Sequence, residues 1–128
     1  MSQTYQLDHF HIVCNDPKTT ADYFHKMFDA KVIESVQDGK PRIDLDLDGI
    51  TIFLLKTPEG ENVPLSHPTR YRGLDHFGLR VKNLDKTAAE LKRRGVEFIV
   101  EPRSPRPGMK MAFIRGPENV RIELLERQ

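Results

Sequence analysis

Apolar and polar side chains alternate along residues 6–14 and again along 73–82, the period-two pattern of a strand with one buried face. A helical pattern follows each. After the first strand, Asp16 is placed to cap a helix with Pro17 in its first turn, and Ala21, Phe24 and Phe28 recur at helical spacing. After the second, Asp85 is predicted to cap a helix carrying Ala88 and Leu91, and Gly95 sits where a left-handed C-terminal residue is wanted. Three strands are predicted behind each helix, over about 31–36, 42–47 and 50–56, then 97–101, 109–115 and 119–126. Asp48-Gly49 predicts a two-residue hairpin, which places Asp44 opposite Phe53 and Asp46 opposite Thr51.

The chain repeats itself. Leu7-Asp8-His9-Phe10 returns as Leu74-Asp75-His76-Phe77, and Asn15 through Ala21 is echoed by Asn83 through Ala89. The reading is an α+β fold of two βαβββ modules, about 5–57 and 72–128, in one domain spanning 1–128. The Pro- and Gly-rich stretch 58–71 is expected to join them. Both helices are amphipathic and are expected on one, outer face of the sheet.

Strand parity sorts the side chains. Phe10, Ile12 and Cys14 share the helix-facing side, leaving His9, His11 and Val13 on the other. Phe77 and Leu79 against His76 and Arg80 repeat the division, and in the last strand Ile122 and Leu124 leave Arg121 and Glu123 opposite. One face therefore collects the chemistry.

Composition narrows the partners. Twenty Lys and Arg nearly cancel nineteen Asp and Glu, so the chain lacks the basic excess that nucleic acid or an acidic membrane attracts. A small molecule is the expected partner. One cysteine, Cys14, excludes an intrachain disulfide, and the opening MSQTYQL has neither a basic nor an apolar signal region. With no apolar run long enough to span a bilayer, a cytoplasmic protein is expected.

The paired Leu-Asp-His, the Arg94-Gly95-Val96 helix end, and Phe113 to Pro117 leading into Ile122-Glu123-Leu124 resemble the vicinal oxygen chelate superfamily. It includes glyoxalase I, methylmalonyl-CoA epimerase, extradiol dioxygenases and fosfomycin-resistance proteins. The resemblance implies a cupped mixed sheet around one divalent ion (Fe, Mn, Ni, Co or Zn), with His9, His76 and Glu123 as ligands. At the fourth ligand position stands Phe53, which cannot ligate. Two-module members commonly pair, so a homodimer is expected.

The resemblance implies lyase or isomerase chemistry of the glyoxalase or epimerase kind. An extradiol Fe(II) dioxygenase is an alternative because it shares the triad, but the dioxygenases carry a tyrosine where this chain has Phe113. A binding or resistance module without catalysis is a third reading. Asp44, Asp46 and His11 are candidate proton carriers. Phe53, Phe113, Arg80 and Arg121 are candidate substrate contacts, Arg80 serving equally well in an ion pair with Asp44, Asp46 or Glu123. The segment 102–108 reads as a basic surface loop, with covering the cavity as the alternative.

Overall fold

The computed structural model describes residues 5–66 and 70–128. The chain divides into two compact units, Met1–Val63 and Pro64–Gln128. Each holds a four-stranded mixed sheet and one long helix, so the fold is α+β and built of two βαβββ modules.

In the first unit the elements run β1 (His9–Cys14), α1 (Pro17–Phe28), β2 (Lys31–Gln37), β3 (Lys40–Leu47) and β4 (Ile50–Lys56). The sheet order is β1-β4-β3-β2, with β1 parallel to β4 and the other pairs antiparallel. Asp16 caps α1, its side chain accepting from the Lys18 amide, and Pro17 follows where a missing N–H costs nothing. The helix buries Ala21 and Phe24 over Ile12, Cys14, Leu45, Ile52 and Leu54. Fully burying a side chain such as Phe24 or Ile52 stabilises by about 1.5–3 kcal/mol. The β3–β4 turn has Asp48 at φ 52° and Gly49 at φ 83°, both left-handed, as a type I′ hairpin requires.

The second unit runs β5 (Phe77–Arg80), α2 (Leu84–Arg93), β6 (Phe98–Arg106), β7 (Met109–Arg115), a 3₁₀ turn at Pro117–Asn119, and β8 (Arg121–Arg127). Its order, β5-β8-β7-β6, repeats the first, again with the first strand parallel to the last. Leu84, Ala88 and Leu91 of α2 are buried, as are Ala112, Ile114, Ile122 and Leu124 of the sheet. Among the described residues no helix is long and apolar enough to cross a membrane.

Two local expectations change. The cap of α2 is Asn83, whose extended backbone lets its side chain accept from the Lys86 amide. Asp85 instead lies in the first turn and pairs with Lys110 at 3.0 Å. Asn83 follows Asp16 at the spacing that separates His76 from His9, so the structural repeat keeps one offset where the matching letters slip by one. The segment 102–106 continues β6 rather than forming a loop. Pro102 and Pro105 lack the amide a central strand needs, but β6 is an edge strand whose register shifts three times, and edges and bulges tolerate proline. Ser104 Oγ donates to the carbonyls of Arg106 and Met109 at 2.9 and 2.7 Å, pinning this bulged end.

Candidate metal and substrate site

In each unit the parallel strand pair positions the candidate residues. In the first unit β1 aligns His11 with Phe53; in the second, β5 aligns Gly78 with Glu123. Phe53 is therefore the positional counterpart of Glu123. Across β3–β4 the hairpin sets Asp44 opposite Phe53 and Asp46 opposite Thr51, the register the Asp-Gly turn predicts.

On the face away from α1, His9, His11 and Phe53 form one ring cluster. The Phe53 centroid lies 4.5 Å from His9 and 5.0 Å from His11, and the two imidazoles are 5.1 Å apart. Asp8 Oδ2 is 2.6 Å from His9 Nδ1. An ionised carboxylate only accepts, so the Nδ1–H donates and Nε2 of the neutral ring keeps its lone pair. The other candidate groups of this unit differ in how they are engaged. Asp46 accepts the Gly49 amide at 2.9 Å. Asp44, its side chain 13% exposed, accepts Arg42 Nε on both oxygens at 3.1 and 3.2 Å. The ring nitrogens of His11 have no hydrogen-bond partner among the described residues.

Arg42 is the residue that sequence reasoning missed. Its guanidinium lies 4.4 Å over the Phe53 ring and donates through Nη1 to Gln37 Oε1 at 2.5 Å. The available signal was parity: Arg42 and Asp44 are two apart on one strand and share a face. The parity signal gave the face but not the partner.

The second unit repeats the Asp-His contact. His76 Nδ1 lies 2.7 Å from Asp75 Oδ2, and His76 Nε2 lies 3.2 Å from Glu123 Oε1. Phe113, directly opposite Glu123, meets the His76 ring edge-on at 4.7 Å. Arg121 stands over Phe113 at 5.1 Å, with Nη1 3.9 Å from Asp75 Oδ1. Its Nε is buried without a partner among the described residues. The hydrogen bond from His76 holds the Asp75 carboxyl below the ordinary carboxylate range, with the Arg121 charge adding to it. Arg80 is exposed at the end of β5 and makes no ion pair among the described residues.

The contact between His76 and Glu123 tests the donor set. With Nδ1–H given to Asp75, Nε2 of a neutral ring and Oε1 both present lone pairs, and two such atoms at 3.2 Å need a proton or a cation between them. Ligands bonded to one metal at about 2.1 Å and about 90–110° apart lie about 3.0–3.4 Å from each other. The observed separation fits that range. Neither unit by itself gathers three His, Cys, Asp or Glu side chains in metal-holding range among the described residues.

A histidine at the head of each of two βαβββ modules, with a carboxylate on the last strand, places the protein in a recognisable structural class. The Glyoxalase/Bleomycin resistance protein/Dioxygenase superfamily profile matches residues 6–124, and the chain belongs to that superfamily. It is 31% identical over 127 residues to the uncharacterized protein YwkD of Bacillus subtilis (strain 168), across 94% of this chain and 96% of that one. In fold it is similar to a glyoxalase family protein from Bacillus cereus, with TM-score 0.78, 16% identity, and 98% and 96% of the two chains covered. A glyoxylase/bleomycin resistance protein/dioxygenase domain from Frankia sp. EAN1pec gives TM-score 0.75 at 20% identity, covering 99% of this chain and 94% of that one.

Proposed function

We propose that the protein is a metal-dependent lyase or isomerase that moves a proton on a small oxygenated substrate. The observation that carries this is His76, with Nδ1 engaged by Asp75 and Nε2 facing Glu123 at 3.2 Å. His9 has the same Asp-held Nδ1 in the first module. His9, His76 and Glu123 would hold one divalent ion, with His9 supplied by the same chain or by a second copy. Such an ion, when bound, supplies Lewis acidity that makes a C–H beside a chelated oxygen more acidic.

The proton falls to a side chain on the same face. Of the three candidates, Asp44 is bound to Arg42 and Asp46 to the Gly49 amide, which leaves His11 with uncommitted nitrogens. His11 takes the proton and returns it, with Phe53 as the apolar wall beside it, and Phe113 and Arg121 are the candidate substrate contacts of the second module. The test is elemental analysis of protein purified without added metal, followed by incubation of small 2-oxo and 2-hydroxy carboxylates and thioesters in D₂O. Stoichiometric divalent metal with hydron exchange on at least one class is expected. Metal-free protein that binds no added divalent ion refutes the reading.

One observation supports a second reading. Phe53 at the fourth ligand position suits a two-histidine, one-carboxylate set open to O₂, as in an extradiol dioxygenase. Phe113, which carries no hydroxyl, weighs against it. Iron in the purified protein with catechol-dependent O₂ uptake would install it.

A further inference from the structure

A cavity of about 810 Å³ opens on the first unit, bordered by His11, Phe53, Leu55, Arg42, Lys40 and Lys56. Within it the Arg42 head is fixed on three sides before any ligand arrives. Asp44 takes Nε, Gln37 takes Nη1, and the Phe53 ring covers one face of the guanidinium. Nη2 has no hydrogen-bond partner among the described residues. A guanidinium that only neutralised Asp44 would need neither the glutamine nor the ring. One held on all three sides has lost most of its rotamer freedom already, so an incoming anion is spared that entropy.

The surroundings add charge and an apolar wall. Lys18, Lys40 and Lys56 border the same cavity and form no ion pair among the described residues. The bordering acids are Asp16, Asp38 and Glu59, of which Asp16 is occupied in capping α1. Ile43, Leu54 and Leu55 supply apolar lining, and Leu55 is 53% exposed. A polar head beside Arg42 and an apolar body along Leu55 match an amphipathic acid rather than a sugar or a dication.

We infer that Arg42 is the anchor for a substrate carboxylate, so that the substrate class is a small carboxylic acid with an aliphatic or aromatic body. The functional meaning of this anchor rests on the proposed proton transfer, since it sets a bound acid in the cavity that His11 borders. The binding itself does not depend on metal.

The probe is benzoate, with benzamide as the neutral isostere, followed by NMR through the Arg42 Nε–H and His11 ring resonances in metal-free and metal-loaded protein. Benzoate is expected to shift both sets saturably and benzamide at least tenfold more weakly, since a charge-assisted contact is stronger than a neutral one. Arg42→Gln should weaken benzoate at least tenfold. Because that change strands Asp44, the double variant Arg42→Gln with Asp44→Asn restores a neutral pair, and its retained melting temperature certifies the fold. Equal binding of benzoate and benzamide, undiminished binding in either variant, or no saturable shift by tens of millimolar overturns the assignment. Metal content on the same samples separates the two readings: benzoate at Arg42 in protein that takes up no metal keeps the anchor and removes the metalloenzyme.

Discussion

Phe53 occupies in β4 the position that Glu123 occupies in β8, each aligned with the third residue of its module's His-x-x segment, His11 in one case and Gly78 in the other. The acid missing from β4 is found across the ladder: Asp44 faces Phe53, whereas in the second module the acid is Glu123 and the ring facing it is Phe113. The exchange leaves the second module with the carboxylate nearer its histidine. His76→Ala should therefore lose the metal, as should Glu123→Ala. Elemental analysis at matched protein concentration checks both, and wild-type metal content in His76→Ala would remove it from the ligand set.

The two aspartates that hold the histidines should not be equal. Asp75 is 33% exposed and lies near Arg121, while Asp8 is 85% exposed. Removing a carboxylate that orients a ligating histidine costs about 10–100-fold in metal affinity. Asp75→Asn should fall in that range and Asp8→Asn well below it, because water readily replaces an exposed partner. Competition against a chromophoric chelator measures the difference, and equal losses would show that the Arg121 contact adds nothing.

His11 and Asp44 are separable by kinetics. His11→Gln, which keeps a hydrogen-bonding side chain without the basicity, should lower kcat by about 100-fold or more. Asp44→Asn frees Arg42 and should act chiefly on KM. If instead Asp44→Asn lowers kcat as far with KM unchanged, Asp44 is the proton carrier and Arg42 its positioning partner.

Tyr23 gives a stability prediction away from the site. Its hydroxyl is buried without a partner among the described residues, and burial pushes its pKa up to about 12. The folded pKa lies above the ordinary tyrosine value of 10.0, so the contribution is fully present below pH 10 and is lost as pH rises through about 12. Tyr23→Phe should match or exceed the wild-type melting temperature at pH 7, since a buried unpaired hydroxyl is a cost. It should also lessen the loss of stability between pH 10 and 12. A drop in melting temperature at neutral pH would reveal a partner for the hydroxyl.

The proposed assembly is a homodimer, twofold pairing being the commonest closed arrangement of soluble proteins. Light scattering at micromolar concentration should give twice the single-chain 14.8 kDa. A mass near 14.8 kDa would require His9, His76 and Glu123 to come from one chain.

The elements legible in sequence were those fixed by period and turn chemistry. Alternation in β1 put Ile12 and Cys14 in the core and His9 and His11 outside it, and Asp48-Gly49 set the β3–β4 register. What was not legible depended on reach. Arg42 spans from its strand to Phe53 and Gln37 through a long flexible stem, so its partners follow from three-dimensional spacing rather than from neighbouring letters. The Asp8 and Asp75 contacts were hidden for a related reason. Adjacent residues in a strand point apart, and both aspartates meet their histidines because they lie before the ladder begins, Asp8 just ahead of His9 at the start of β1 and Asp75 with His76 ahead of β5 at Phe77. The prolines of β6 misled because proline reads as loop unless the strand is known to lie at an edge.

The alternation along β4 has an evolutionary consequence. Ile52 and Leu54 hold the helix from one side while Thr51, Phe53 and Leu55 look the other way, so selection for folding and selection for chemistry act on different letters of the same strand. A duplicated gene built this way can drift at every second codon without melting. Phe53 stands on the free side of that strand: its replacement by a carboxylate would set an acid where the second module carries Glu123 without touching a core letter.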